Sequence, residues 1–166
     1  YLNPAVKLTL SSEPGTSFGQ FPFGYDADGM ALEPKDIHPG ATVYSPYFTI
    51  ENTADPETGL YIGLMLYGKD MKAVSGPAKC PESNILEIDN VDYKASHLNA
   101  QQEWTTMPRI QGLVGMPTFV FTSPSNVLAN IIGVGDDVTM RLRLNIPNPC
   151  QGQFDSGQIV FIGYPL

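Results

Sequence analysis

The most constraining feature of this sequence is the strict alternation of apolar and polar side chains between Val138 and Ile146. The stretch reads VTMRLRLNI, with an apolar residue at every second position and two arginines among the polar ones. Successive side chains of a β-strand point to opposite faces, so this period predicts an antiparallel strand with one buried face and one solvated face. The strand is expected to end at a turn that contains prolines, asparagine and glycine (Pro147, Asn148, Pro149 and Gly152).

A second strand is predicted at the C-terminus, where residues 158–164 read QIVFIGY. Apolar residues on both faces are typical of a strand that is covered on both sides. Further strands are predicted around residues 6–10, 43–50, 60–67, 85–93 and 117–122. Pro46 lies inside one of them and indicates an edge strand or a bulge, because proline cannot donate to a ladder.

The composition favours a single all-β domain. The chain has 166 residues with 16 glycines and 15 prolines, which suits many short strands joined by turns. Two short helical segments are predicted, one at residues 96–104 and one from Asn126 to Ile132. Ser123 would cap the second helix and Pro124 would take its first position. We therefore expect an antiparallel β-sandwich with one or two short helices.

The charge balance excludes some partners. The chain carries 17 acidic and 9 basic residues, a net charge of −8, and the basic residues are scattered. No stripe of basic residues interleaved with aromatics is present, so no nucleic-acid partner is expected. No run approaches the roughly 20 apolar residues of a membrane helix, so no membrane span is expected. The low charge density suits packing against copies of the same chain.

The two cysteines, Cys80 and Cys150, both lie beside prolines in turn-like settings. In an extracellular protein they would pair, and closing a loop of this length contributes about 4 kcal/mol in the chain-entropy model. In a cytosolic protein they would be two free, inert thiols. The chain begins at Tyr1 and shows no signal sequence, which is typical of a processed secreted protein and equally of a trimmed fragment.

The N-terminal segment is predicted to be a strand with an apolar face formed by Val6, Leu8 and Leu10, preceded by the apolar tip Tyr1 and Leu2. A breaker and a loop rich in glycine and aromatics follow it. An ordinary first strand would pair inside its own domain. A strand on such a tether can also leave its domain and complete the sheet of a neighbour. We therefore divide the chain into a donor strand, residues 1–11, and a sandwich domain, residues 12–166.

No catalytic or metal site is predicted. The chain has two histidines, His38 and His97, without an H-E-x-x-H motif, and it lacks a G-x-S-x-G elbow and a phosphate-binding glycine loop. Neither an enzymatic activity nor a cofactor is expected. Trp104 could form a sugar-stacking platform with Tyr93 or Tyr25, although burial of these aromatics in the core is the favoured interpretation.

Two separated stretches resemble the TasA/camelysin family of secreted biofilm-matrix fibre proteins. The first is IHPGAT at residues 37–42 followed by FTIENT at residues 48–53, and it is similar to the family pattern L-x-P-G-D-T…F-T-I-x-N-T-G. The second runs from Val134 to Asn145 and continues through QGQ at residues 151–153 into the terminal strand. Together they cover about half the chain. The chain departs from the pattern at Ala41, at Ala54 and in its cysteine pair.

The resemblance implies a jelly-roll-like sandwich that polymerises by donor-strand exchange into an extracellular or cell-surface filament. A disulfide-bearing member such as an archaeal bundling pilin fits best. The implied partners are adjacent copies of the chain, with lateral bundling of filaments as an extension. The alternative is a secreted β-sandwich module that binds carbohydrate or a cell surface through exposed aromatics.

Overall fold

The computed structural model describes residues 8–12, 25–26, 29–32, 39–74, 80, 85–109, 118–123, 128–150 and 152–166. Its strands are β1 (Leu8–Ser12), β2 (Tyr25–Asp26), β3 (Gly29–Leu32), β4 (Thr42–Tyr44), β5 (Phe48–Asn52), β6 (Ile62–Lys69), β7 (Met71–Ala73), β8 (Ile85–Leu86), β9 (Val91–His97), β10 (Ala100–Thr106), β11 (Thr118–Phe119), β12 (Asp137–Asn145), β13 (Phe154–Asp155) and β14 (Gly157–Pro165). The expected all-β fold is confirmed.

The strands form two main antiparallel sheets and a small third one. The first sheet has the order β1-β5-β12-β9-β10, with β4 also paired to β12, and the second has the order β11-β6-β14-β3-β2. A third sheet joins β13, β7 and β8. β12 lies at the centre of the first sheet, so the strand with the clearest alternation in the sequence has neighbours on both sides.

The core lies between the two main sheets. Val138, Met140, Leu142 and Leu144 of β12 are fully buried, and the polar residues between them are half-buried on the outer face. Phe48 of the first sheet meets the ring of Phe161 in β14 edge-on, with the ring centroids 6.2 Å apart. Burial of this kind stabilises the fold by about 1.5–3 kcal/mol for each aliphatic or aromatic side chain. The sandwich expected from the sequence is therefore confirmed.

The terminal strand β14 is less enclosed than its sequence suggested. Ile159 and Phe161 are buried, whereas Val160 and Ile162 on the other face are only half-buried. The expectation of full cover on both faces is wrong for the part of the chain that the structure describes. Gln158 is also half-buried, which agrees with a face that retains contact with solvent.

The helix predicted at residues 96–104 is wrong. This stretch is a β-hairpin, in which β9 ends at His97, Leu98 and Asn99 form the turn, and β10 begins at Ala100. Leu98 has a φ of 57°, a left-handed conformation that bulky residues rarely adopt. Glycine or asparagine usually occupies a left-handed position in a tight hairpin turn. Leucine stands there in this sequence, so the turn was not indicated.

The helix predicted from Asn126 to Ile132 is also not found over the residues that are described. Residues 128–130 form one 3₁₀ turn, and Ile132 then makes a β-bridge with Ile62. Pro124 and Asn126 lie outside the described residues. Two further 3₁₀ turns occur at Pro56–Thr58 and Ile88–Asn90. Within the described residues, the helical segments of the fold are thus single 3₁₀ turns.

Candidate functional site

The N-terminal strand fills one edge of the first sheet. β1 pairs antiparallel with β5 in a register that places Leu8 opposite Asn52 and Ser12 opposite Phe48. Leu8 is half-buried and packs against the core. Among the described strands β5 is the partner of β1, and β12 lies on the other side of β5. We call the position beside β5 that β1 occupies the strand slot.

The structure places only part of the predicted donor strand. Leu8 and Leu10 lie in β1, with Leu10 opposite Ile50, whereas Tyr1, Leu2 and Val6 lie outside the described residues. β1 ends at Ser12, one residue beyond the predicted boundary of the segment. In this structure of a single chain the strand pairs with its own β5, which is one of the two arrangements that the sequence left open.

A second feature lies on the outer face of the first sheet, where cationic and aromatic side chains alternate. The Arg141 guanidinium lies 4.9 Å from both tyrosine ring centroids, those of Tyr44 and Tyr47. The Arg143 guanidinium lies 4.4 Å from the Trp104 ring centroid. These distances allow cation–π attraction. We call this surface the cation–aromatic face; it consists of Tyr44, Tyr47, Lys94, Trp104, Arg141 and Arg143.

Lys94 joins the two halves of the cation–aromatic face. Its ammonium nitrogen lies 5.4 Å from the Tyr47 ring centroid and 5.3 Å from that of Trp104. The hydrogen bond between Lys94 and the Tyr47 hydroxyl, opposed by partial burial and assisted by Arg141, lowers the pKa of Tyr47 from its usual value of 10.0. The tyrosine hydroxyl therefore experiences a net positive environment.

The cations of this face are not neutralised equally. Arg143 lies opposite Asp92 across β12 and β9, and its Nε donates to the Asp92 carboxylate at 2.7 Å. Arg141 lies directly opposite Lys94 instead. Among the described residues no carboxylate oxygen comes within 4.0 Å of either of these two charges. Like charges that face each other across strands are destabilising, so this pair costs stability in the free chain.

A depression of about 190 Å³ opens beside Lys94, the cation that faces Arg141 across the strands. Most of its lining is polar, and Tyr47 and Ala95 complete it. The polar and charged lining residues are Lys94, Ser96, Gln101, Gln102, Glu103 and Thr139. Ser96 and Thr139 lie opposite each other in the ladder between β9 and β12. The depression thus combines positive charge, hydroxyl groups and an aromatic ring.

The aromatic platform expected from the sequence has different members. Tyr93 is fully buried, and its hydroxyl donates to the Val120 carbonyl oxygen at 2.7 Å, so it cannot pair with Trp104 at the surface. The neighbour of Trp104 is Tyr44, with ring centroids 5.9 Å apart. The structure does not describe the side chain of Tyr25. Tyr44 and Tyr47 were missed because their position on the same face of the sheet as Trp104 depends on strand register.

The predicted disulfide is confirmed. Cys80 and Cys150 are bonded, with an Sγ–Sγ distance of 2.01 Å, and both are buried. The bond ties the segment before β8 to the turn that follows β12. Cys150 follows the Asn148–Pro149 bend, which agrees with the turn-like setting expected from the sequence.

His97 is a buried residue at the end of β9. Its Nδ1 lies 2.8 Å from the Ala129 carbonyl oxygen, so Nδ1 carries the proton and donates it to that carbonyl. Within the described part of the chain, no group of three or more histidine, cysteine or acidic side chains could hold a metal ion. His38 lies outside that part.

None of the helices in the described ranges has the length and apolar character needed to cross a membrane. Neither a protein-family model nor a curated protein sequence matches this chain.

Proposed function

We propose that this chain is the structural subunit of an extracellular filament, and that each subunit donates its N-terminal strand to the strand slot of the next. The observation that carries the proposal is the position of β1 at the sheet edge, paired through five register positions with β5. The role is structural, without enzymatic activity or cofactor, and the partner is a further copy of the chain. Lateral bundling of filaments belongs to the same proposal.

The strand slot supports exchange between chains because it accepts its occupant through the backbone. An identical strand from a neighbouring chain would offer the same register and the same side chains, as in domain swapping. The sequence that follows the donor strand, from Glu13 to Gly24, carries prolines and glycines (Pro14, Gly15, Gly19, Pro22 and Gly24). Such a segment can reach a neighbour at little cost in strain.

The strand slot also needs an occupant. Without β1 the edge of β5 would expose unpaired backbone groups, a template for pairing with another chain. Phe48 and Ile50 of β5 are buried, so the strand that forms this edge is packed into the core. A donated strand would contribute about 0.5–1.5 kcal/mol for each ladder hydrogen bond, plus the burial of its apolar side chains.

The disulfide supports the extracellular part of the proposal. Structural disulfides form and persist in oxidising compartments and are rare in cytosolic proteins. Cys80 and Cys150 are both buried in the fold, and no free cysteine is present among the described residues. A filament outside the cell would benefit from such a cross-link in every subunit.

The test combines electron microscopy with sedimentation of the full chain and of a chain that lacks Tyr1–Ser11. We expect long filaments from the full chain and monomers from the shortened one. Compact monomers from both would overturn strand donation and bring the surface-binding alternative forward. Because the shortened chain could fail to fold, a second test uses full-length chains only.

In the second test, chains with Ser11→Cys are mixed with chains with Thr49→Cys, since these positions lie opposite each other in the ladder. Exchange between chains predicts a disulfide-linked pair of chains under oxidising conditions. Thr106→Cys on β10, at the far edge of the same sheet, replaces Thr49→Cys as the matched control. A cross-link that forms only inside one chain carrying both Ser11→Cys and Thr49→Cys would contradict the proposal.

A further inference from the structure

The cationic side chains of this protein differ in whether a carboxylate lies beside them, and this difference points to an anion site. Arg109 lies within 3.6 Å or less of three carboxylates, those of Asp70, Glu87 and Asp89. Arg143 has Asp92. Lys94 and Arg141 face each other on the same outer surface and have no carboxylate within that reach among the described residues. In a chain of net charge −8, a fold that leaves this pair without an acid offers it to an outside anion.

The surroundings of the pair fit a hydroxylated acid better than a bare carboxylate. The depression beside Lys94 holds about 190 Å³, of the order of one sugar ring, and it is lined by Ser96, Gln101 and Thr139. Ser96 and Thr139 bring hydroxyl groups that can both donate and accept hydrogen bonds. Tyr47, which is 37% exposed, forms one wall and presents an aromatic ring to an apolar sugar face.

We propose that the cation–aromatic face binds an acidic sugar, a hexuronate unit of an anionic polysaccharide. Lys94 and Arg141 hold its carboxylate, Ser96 and Thr139 meet its hydroxyl groups, and Tyr47 packs against its ring. This site does not rest on strand donation, because its residues lie on β9, β12 and the segment between β4 and β5, away from β1.

Nucleic acid is the other class of polyanion, and the face suits it poorly. Affinity for a phosphate backbone comes from several cations that neutralise successive phosphates. Here a single depression is lined by one cation, Lys94, which faces Arg141 across the strands, and Glu103 adds a carboxylate to the lining.

The test is a fluorescence titration of the full chain with trigalacturonate. Trp104 is the one tryptophan of the chain and its ring lies 5.3 Å from the Lys94 ammonium, so its emission reports on this face. We expect Lys94→Gln to weaken binding at least tenfold, and added salt to weaken it as well. Lys72→Gln, which removes an exposed lysine on β7, is the matched control and should leave the affinity unchanged.

Three outcomes would overturn the proposal: no binding at millimolar trigalacturonate, equal losses from Lys94→Gln and Lys72→Gln, or a short DNA duplex that binds as tightly as the acidic sugar. Maltotriose, which lacks the carboxylate, should not bind at the same concentration, and equal binding would also count against the site. Filament formation by Lys94→Gln should match the original chain, so a failure here is distinguishable from a failure of strand donation.

Discussion

Asn52 connects three parts of the fold through one buried amide. Its side-chain nitrogen donates to the carbonyl oxygens of Leu60 and Ile132, each at 3.0 Å, and its oxygen accepts from the Ala54 backbone nitrogen at 3.2 Å. The side chain is fully buried. An amide fits because the three backbone groups require two donors and one acceptor from the same side chain.

The Asn52→Asp substitution should therefore be severe. A carboxylate has no hydrogen to donate to the carbonyl oxygens of Leu60 and Ile132 and would be repelled by them, with only the Ala54 N–H left to donate to it. We expect a loss of about 3–5 kcal/mol in the free energy of unfolding at neutral pH. Chemical denaturation measures it. Asn99→Asp, at an exposed turn position, is the control and should change stability by less than about 0.5 kcal/mol. Equal effects of the two substitutions would show that the amide network matters little.

The buried hydroxyl of Tyr93 makes the free energy of unfolding depend on pH in the alkaline range. Burial raises the pKa of Tyr93 from 10.0 to about 12. The unfolded chain therefore releases this proton at a lower pH than the folded chain does. The group contributes its full stability below pH 10, and that contribution is lost as pH rises towards 12; two pKa units correspond to about 3 kcal/mol.

The measurement compares the original chain with Tyr93→Phe by denaturation at pH 8, 10 and 12. At pH 8 the variant should be less stable by about 1 kcal/mol, because the Val120 carbonyl oxygen loses its donor. The difference should shrink and then reverse in sign as the pH approaches 12. Parallel curves for the two chains would contradict this origin of the pH dependence.

At the scale of elements, β4 and β5 behave as one strand broken at Ser45. Both pair with β12, but their registers differ by one residue, because Tyr44 lies opposite Arg143 and Phe48 lies opposite Met140. The Leu142 backbone N–H donates to Ser45 Oγ at 2.8 Å, and the Ser45 N–H donates to the Leu142 carbonyl at 2.9 Å. The serine side chain thus replaces the backbone acceptor lost at the irregularity.

Replacing Ser45 with alanine should cost about 1–3 kcal/mol, because a buried backbone N–H would lose its acceptor. Ser96→Ala, on a regular strand of the same sheet, is the control and should cost much less. Urea denaturation compares them. Hydrogen exchange at Leu142 should also accelerate in Ser45→Ala, and an unchanged exchange rate would mean that another group satisfies this N–H.

Strands could be predicted from the sequence where burial of one face makes apolar and polar residues alternate. They could not be predicted where the conformation of a single residue determines the local structure. The alternation in β12 predicted its buried and solvated faces, because only one face meets the core. Pro46 indicated the interruption between β4 and β5, since proline cannot donate. The hairpin between β9 and β10 was missed because Leu98 takes a left-handed conformation that its side chain disfavours.

The candidate site was predictable in part for a similar reason. The strand beside β5 could be identified because Leu8 and Leu10 alternate with polar residues. The cation–aromatic face could not, because it unites residues from β4, β9, β10 and β12 whose register the sequence does not specify. Tyr93 and Trp104, both considered for stacking, lie on opposite sides of the sheet: one is buried and the other forms part of the face.

At the scale of the molecule, the first sheet carries both proposed interfaces on separate surfaces. The strand slot uses the backbone edge of β5, and the cation–aromatic face uses side chains above β9 and β12. A filament could therefore fill every slot and still present one face per subunit to an acidic polysaccharide. Repeated faces along a filament would bind a long polysaccharide more tightly than one subunit does, through effective concentration alone.

The disulfide acts on the whole molecule because the loop that it closes contains β8 to β12. Cys80 and Cys150 are separated by 70 positions, and the enclosed segment supplies three strands of the first sheet, β9, β10 and β12. We expect the Cys80→Ala/Cys150→Ala chain to lose about 4 kcal/mol of stability, chiefly because its unfolded state gains conformational freedom. Guanidinium denaturation of both chains, without reductant, measures the difference.

Burial of the two sulfurs also predicts the rate at which a reductant cleaves the disulfide. Cys150 is fully buried and Cys80 is 8% exposed, so a thiol reductant reaches the bond only after local opening. Reduction should be slow in buffer and fast in denaturant. Rapid reduction in buffer would mean that the segment around Cys80 opens without unfolding the sheet.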